Sequence, residues 1–302
     1  MTRDASQTTQ ATPHATKPWW LPLAPWIFVA LWSGGYTPVK IALQYSEPLF
    51  LLVLRYAGVV ALLIPAYLIV RPPLPRTRRA WLHLAIVGLL IQGVYFALAN
   101  IAIGLGASAA ALAIVLALQP ILVALIVPWV TGEAVSRRTW AGLALGLAGA
   151  VVVIVAKAGA NEATTSGIVT ACAALLFITA GTVWEKRFGQ AQHPIVANLV
   201  QCGVAGIMAL AVAWPLETFT VTWNWPFALS LAYLIIGNSI IARTLLLAMI
   251  RHAQATRASA LFFLVPPGSA AAAWVLLGEP FPPVVFAGMA AAGVGVWLAR
   301  SK

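Results

Sequence analysis

The chain has 302 residues, of which 62% are hydrophobic and 8% charged, and it carries a net charge of +11. Soluble domains carry about a quarter charged residues, so water is not this protein's main solvent. The basic residues are too scattered for the continuous stripe that nucleic acid requires, which excludes nucleic acid as a partner.

Residues 1–20 are polar and rich in Thr and Ala, which predicts a disordered cytoplasmic tail ahead of a retained first helix. A spanning helix needs roughly 20 apolar residues. Ten runs approach this length: 23–43, 48–70, 81–101, 106–130, 137–156, 165–185, 194–215, 227–248, 256–277 and 281–299. They lack the alternation of barrel strands, so an all-α membrane protein is expected. The first run carries Trp32, Ser33 and Tyr36, the second Arg55, and the third Gln92, Tyr95 and Asn100. The fourth holds Gln119 beside Pro120 and closes at Glu133, and the fifth spaces Gly142, Gly146 and Gly149 along one stripe. The sixth carries Thr179 and Thr182 and ends at Glu185. The eighth holds Asn238, Ser239, Arg243 and Thr244, and the ninth has Pro266 before Glu279. Cys172 and Cys202 lie inside apolar runs and read as small core residues, not a disulfide.

Cytoplasmic loops collect Lys and Arg. With the amino terminus inside, the inward segments hold 14 of the 18 basic residues, including Arg71, Arg76, Arg78 and Arg79, while Lys40 and Lys157 fall outside. Ten helices with both termini cytoplasmic follow from that alternation. Most tryptophans lie near span ends, at the interface that amphipathic rings favour. Trp32 is the exception, near the middle of the first span.

Pro120 and Pro266 stand 146 residues apart, and so do Glu133 and Glu279, Pro48 and Pro194, Gly142 and Gly288, and Gly149 and Gly295. The halves 21–157 and 165–302 therefore read as two copies of five helices. Five is odd, so the second copy enters the membrane from the opposite side. Inverted repeats of this kind build many secondary transporters, whose halves exchange conformations around a central site. There is no GxxxxGK[ST] phosphate loop for an ATP-driven pump, and no HExxH, paired carboxylates or nucleophile beside a base for a membrane-embedded enzyme.

The pieces ASAAALAIVLALQPILVALIVPWVTGE with WAGLALGLAG, and ATRASALFFLVPPGSAAAAWVLLGE with FAGMAAAGVG, resemble the EamA-type members of the drug/metabolite transporter superfamily. Arg55, in VLRYAG, also matches a position where that family's second helix often has Arg. The resemblance covers residues from about 25 to 300. It implies a metabolite or drug carrier, most often an exporter, with a cavity formed by helices 1, 3, 4, 6, 8 and 9.

Polar groups at membrane depth face the protein interior or a water-filled path. On the helices implied by the resemblance, Trp32, Tyr36, Gln92, Tyr95, Asn100, Gln119, Thr182, Asn238 and Arg243 are the expected substrate-binding residues. Arg243 either receives a substrate anion or pairs with Glu185. Arg55, on helix 2, reads as a structural tie. Pro120 and Pro266 are expected to kink their helices, and Glu133 and Glu279 to close theirs. None of the seven acidic residues lies at mid-membrane depth by these spans, so the sequence supplies no proton relay. The stripe of small residues on helices 5 and 10 predicts close packing within one chain; a dimer face is the alternative, so the protein is a monomer or a homodimer. The expected function is alternating-access export of small metabolites, such as amino acids or amphiphilic drugs, across the cytoplasmic membrane, with no cofactor and no metal. The rival reading is a membrane scaffold or subunit that transports nothing.

Overall fold

The computed structural model describes residues 23–107, 109–132, 134–157, 164–189, 192–252, 260–268, 271 and 282–300. Among these the regular structure is helical, with one isolated antiparallel bridge, Ser46 to Val221, and no strand. That is what an apolar surround imposes, because a helix satisfies every backbone N–H and C=O within its own segment. Among the described residues seven helices are long and apolar enough to cross a membrane, and Pro283–Ala299 forms a shorter apolar one. Side chains on the outer surface are apolar: Ile69 is 82% exposed, Ile207 72% and Trp129 91%. In water these would be costly, whereas in lipid they are solvated.

The first predicted span is two helices, α1 (Ala24–Ser33) and α2 (Tyr36–Ala42), broken at Gly34 and Gly35. The break permits a close approach: a Cβ on Gly35 would strike the side-chain amide nitrogen of Asn238. After α3 (Pro48–Val70), the third span runs as α4 (Arg78–Val87), a π-helical segment Gly88–Tyr95, and α5 (Phe96–Gly104). The fourth is α6 (Ala109–Ala117) and α7 (Gln119–Thr131), interrupted at Leu118. Pro120 explains this interruption, since its ring removes an N–H donor and crowds the carbonyl four residues back. Gly132 ends α7 with φ 74°, a left-handed conformation that glycine adopts freely. Next come α8 (Arg137–Lys157), α9 (Thr165–Phe188) and α10 (Pro194–Leu216). The eighth span is α11 (Trp225–Tyr233), a second π segment Leu234–Ala242, and α12 (Arg243–His252). The ninth begins as a 3-10 turn, Ala260–Leu264, giving way to helix at 265–268, the stretch that contains Pro266. The last helix is α13 (Pro283–Arg300). Glu133 and Glu279 lie outside the described residues.

The two π segments begin at Gly88 and Leu234, the same 146-residue offset that relates the prolines. Their packing is reciprocal. The first rests on α9 and α10, and the second on α1 and α3. The tightest seam joins α8 to α13, the most extensively packed helix pair among the described residues. There, added Cβ atoms on Gly142 and Gly149 would collide with the backbone at Ala299 and Ala292, and those on Gly288 and Gly295 with Gly149 and Gly146. Small residues let the two backbones touch. The glycine stripe is thus used within the chain.

Candidate functional site

The breaks and π segments converge on a cavity of about 50 Å³, walled by Trp32, Arg55, Tyr95, Phe96, Asn100 and Asn238 among others. One water needs roughly 10–15 Å³ by this measure, so the cavity admits only a few waters. Trp32 is 6% exposed and sits within an aromatic cluster, its ring centroid 5.2 Å from Phe28, 5.4 Å from Phe262 and 6.3 Å from Phe96. Asn100 donates through Nδ2 to the carbonyl of Pro48 at 3.2 Å. Arg55 is the charged member of the wall. A buried guanidinium is costly unless its donors find acceptors. Its Nε donates to Ser239 Oγ at 2.7 Å and its Nη2 to Asn238 Oδ1 at 3.3 Å, and the Phe96 ring centroid lies 4.6 Å from its guanidinium carbon. Arg55 therefore ties α3 to the second π segment and also faces the cavity.

Trp32, Tyr95, Asn100 and Asn238 thus meet at one place. Tyr36 opens α2 one residue beyond Gly35. The structure does not bring Gln92, Gln119, Thr182 or Arg243 to this cavity wall. Gln92 turns toward α10, where Nε2 meets Cys202 Sγ at 3.5 Å, while its carbonyl accepts from the Tyr56 hydroxyl. Gln119 donates to Thr182 Oγ1 at 3.2 Å, tying α7 to α9. Arg243 donates through Nη2 to Gln201 Oε1 at 2.8 Å. Glu185 lies in the last turn of α9, within electrostatic reach of Arg243, and its carbonyl accepts the Gly189 N–H at 2.8 Å.

The sequence reading overlooked the polar residues of α10. Asn198 donates to the carbonyl of Ser239 at 2.7 Å and accepts from Cys202 Sγ at 3.3 Å. Asn198 and Gln201 are both fully buried. A signal was available, because Gln201 stands 146 residues after Arg55 and Cys202 the same distance after Tyr56.

A second recess of about 690 Å³ opens at the end of the bundle where α2 meets α3, and Ile103 lines both cavities. Its rim is held by two reciprocal carboxylates. Glu217 accepts from the Leu49 and Phe50 N–H groups at 2.8 and 2.6 Å, capping α3. Glu47 accepts from the Thr218 N–H at 3.1 Å, the Thr220 N–H at 3.3 Å and the Thr218 hydroxyl at 3.2 Å. Phe219 lies between these donors with φ 59°, so the loop turns both N–H groups toward one anion. These donors, the Thr218 N–H foremost, hold the Glu47 carboxyl below its ordinary range.

Residues 19–155 and 165–301 each match the model of the EamA-like transporter family. A protein of Salmonella typhimurium named "Probable amino-acid metabolite efflux pump" is 27% identical over 282 residues, which cover 90% of this chain and 92% of that one. A protein of the same name from Escherichia coli is 25% identical over 284 residues, covering 90% and 92%. One solved crystal structure, at 22% identity, has a TM-score of 0.75 over 92% of this chain and 96% of its own, a likeness of fold.

Proposed function

The chain belongs to the EamA-like transporter family, and from that premise we propose that it exports amino acids or related small metabolites across the cytoplasmic membrane by alternating access. It is a multi-pass membrane transporter, not an enzyme; its family and its named relatives are transporters. In this reading ten helices form two inverted five-helix repeats, with both termini in the cytoplasm. The recess beside Glu47 then faces outward, and Trp32, Tyr95, Asn100, Asn238 and Arg55 hold the substrate between the repeats. Gln119, Thr182 and Tyr36 line its path in other states of the cycle.

The observation that carries the reading is the central cavity itself. It lies where the Gly34–Gly35 break and the end of the π segment Gly88–Tyr95 in the first half meet the π segment Leu234–Ala242 of the second, backbone irregular at membrane depth that is tolerated where it lines a cavity. Its wall suits an amphipathic zwitterion: aromatic rings for an apolar side chain, amides for an ammonium group and a guanidinium for a carboxylate. The names of the relatives support the same class.

Counterflow in proteoliposomes tests it, with radiolabelled aromatic and aliphatic amino acids, nucleobases and cationic amphiphiles as candidate substrates. We expect saturable flux for at least one amino acid, reduced tenfold or more by Trp32→Ala in protein shown by thermal melting to be folded. Flux for no compound would sink the carrier reading and leave the scaffold reading standing.

A further inference from the structure

Arg243 is 3% exposed, yet it is not equipped as Arg55 is. Arg55 has a partner for Nε; in Arg243 the Nε–H is buried and meets no acceptor. Among the described residues its hydrogen bond runs to Gln201 Oε1, and the Gln201 Nε2 donors are likewise buried there without a partner. Two adjoining, fully enclosed side chains thus hold surplus N–H donors beside a positive charge. A buried donor left unsatisfied is destabilising, and more so when it belongs to a charged group. Neither set of surplus donors meets an acceptor among the described residues, and a carboxylate is the group whose two oxygens would serve both.

Resting on the transport reading above, we propose that Arg243 and Gln201 form a second anion station, which takes the substrate's carboxylate on the cytoplasmic side of the central cavity. Arg243 lies five residues beyond Asn238, roughly 7 Å further along the helix axis. A carboxylate held there leaves the rest of a small amino acid pointing toward Trp32 and Asn238. The guanidinium supplies a charge-assisted bond through Nε, and Gln201 Nε2 supplies a second donor. The station is closed in this conformation, in which the recess lined by Ile103 and Glu47 is the wider space, and it opens when the opposite half of the path does. Glu185, the nearby carboxylate on α9, is the competing partner that a departing substrate leaves behind.

The experiment is thermal stability of the purified full chain in sodium acetate against sodium chloride at equal ionic strength, for wild type, Arg243→Gln and Gln201→Glu. A ligand that binds only the folded protein raises its apparent stability. We expect acetate, but not chloride, to raise the wild-type Tm in a saturable way, with at least tenfold weaker apparent affinity in both variants. Gln201→Glu supplies the missing carboxylate internally, so it should also melt higher than wild type; this keeps the test open if Arg243→Gln fails to fold. Acetate acting no better than chloride, or acting equally on folded Gln201→Glu, overturns the proposal. Arg243 is then a counter-charge for Glu185 alone. Neither result bears on proteoliposome flux, so the carrier reading fails or survives separately.

Discussion

A guanidinium in an apolar bundle is held by whatever acceptors surround it, and the surroundings of Arg55 predict what a substitution costs. Lysine keeps the charge but cannot reach Ser239 and Asn238 together, nor lie flat beside Phe96. Arg55→Lys should therefore lower stability by about 1–3 kcal/mol, read from thermal melts. An unchanged melt would mean that the tie to Ser239 contributes nothing. Glu47 gives a pH dependence. Its folded carboxyl titrates below the ordinary value of 4.5, so what it adds to stability is complete above that value and fades as pH falls through the lower folded one. Wild type should melt above Glu47→Gln at neutral pH, and the two curves should converge in acid; parallel curves would sink the idea. Of the central site, Trp32, Tyr95, Asn100 and Asn238 were legible because a bulky or polar residue deep in an apolar run has few other uses. Gln92 was set among the cavity residues, and Gln201 was not singled out at all. Sequence gives the depth of a polar residue but not which neighbouring helix it faces, and Gln92 turns to α10 rather than to the cavity.

At the scale of elements, the ordinary helices were readable from apolar run length, but their interruptions were only half readable. The break before Pro120 follows from proline's missing N–H. The break at Gly34 and Gly35 and the π segments follow instead from partners far away in sequence, such as Asn238 against Gly35 and the Gln201 backbone against Gly88, which no local propensity encodes. π-helical turns concentrate at functional places because each carries an extra residue that can be redistributed along the helix. Deleting Leu89 should remove the extra residue and convert Gly88–Tyr95 to regular α-helix, leaving nothing to redistribute between α4 and α5. Transport should then fall by more than tenfold while the protein remains membrane-inserted, measured by flux and by solvent accessibility of introduced cysteines. Full flux in that variant would show the π geometry to be incidental. The α8–α13 seam yields a plainer expectation. Gly149→Val forces a side chain onto the Ala292 backbone, and overpacking of this kind costs roughly 1–3 kcal/mol or more, to be read from denaturation in detergent.

At the scale of the whole molecule, charge alone predicts the orientation, because Lys and Arg gather in alternate loops. In a protein with Cys172 and Cys202 replaced, single cysteines at Ser46 and Thr218 should react with an impermeant maleimide in intact cells, and those at Arg76 and Gly189 only after lysis. The reverse pattern would overturn the orientation, and both ends reacting alike would overturn the inverted arrangement. The α8–α13 seam also has a consequence for how the protein is made. The face of α8 that carries Gly142 and Gly149 finds its mate only in α13, made 146 residues later. At synthesis rates of about 5–20 residues per second, that is a wait of roughly 7 to 30 s. During it, a helix with a groove instead of side chains must lie against lipid or a membrane chaperone. A chain that stops short of α13 is therefore left with its earliest half unfinished, and quality control should recognise it by that groove.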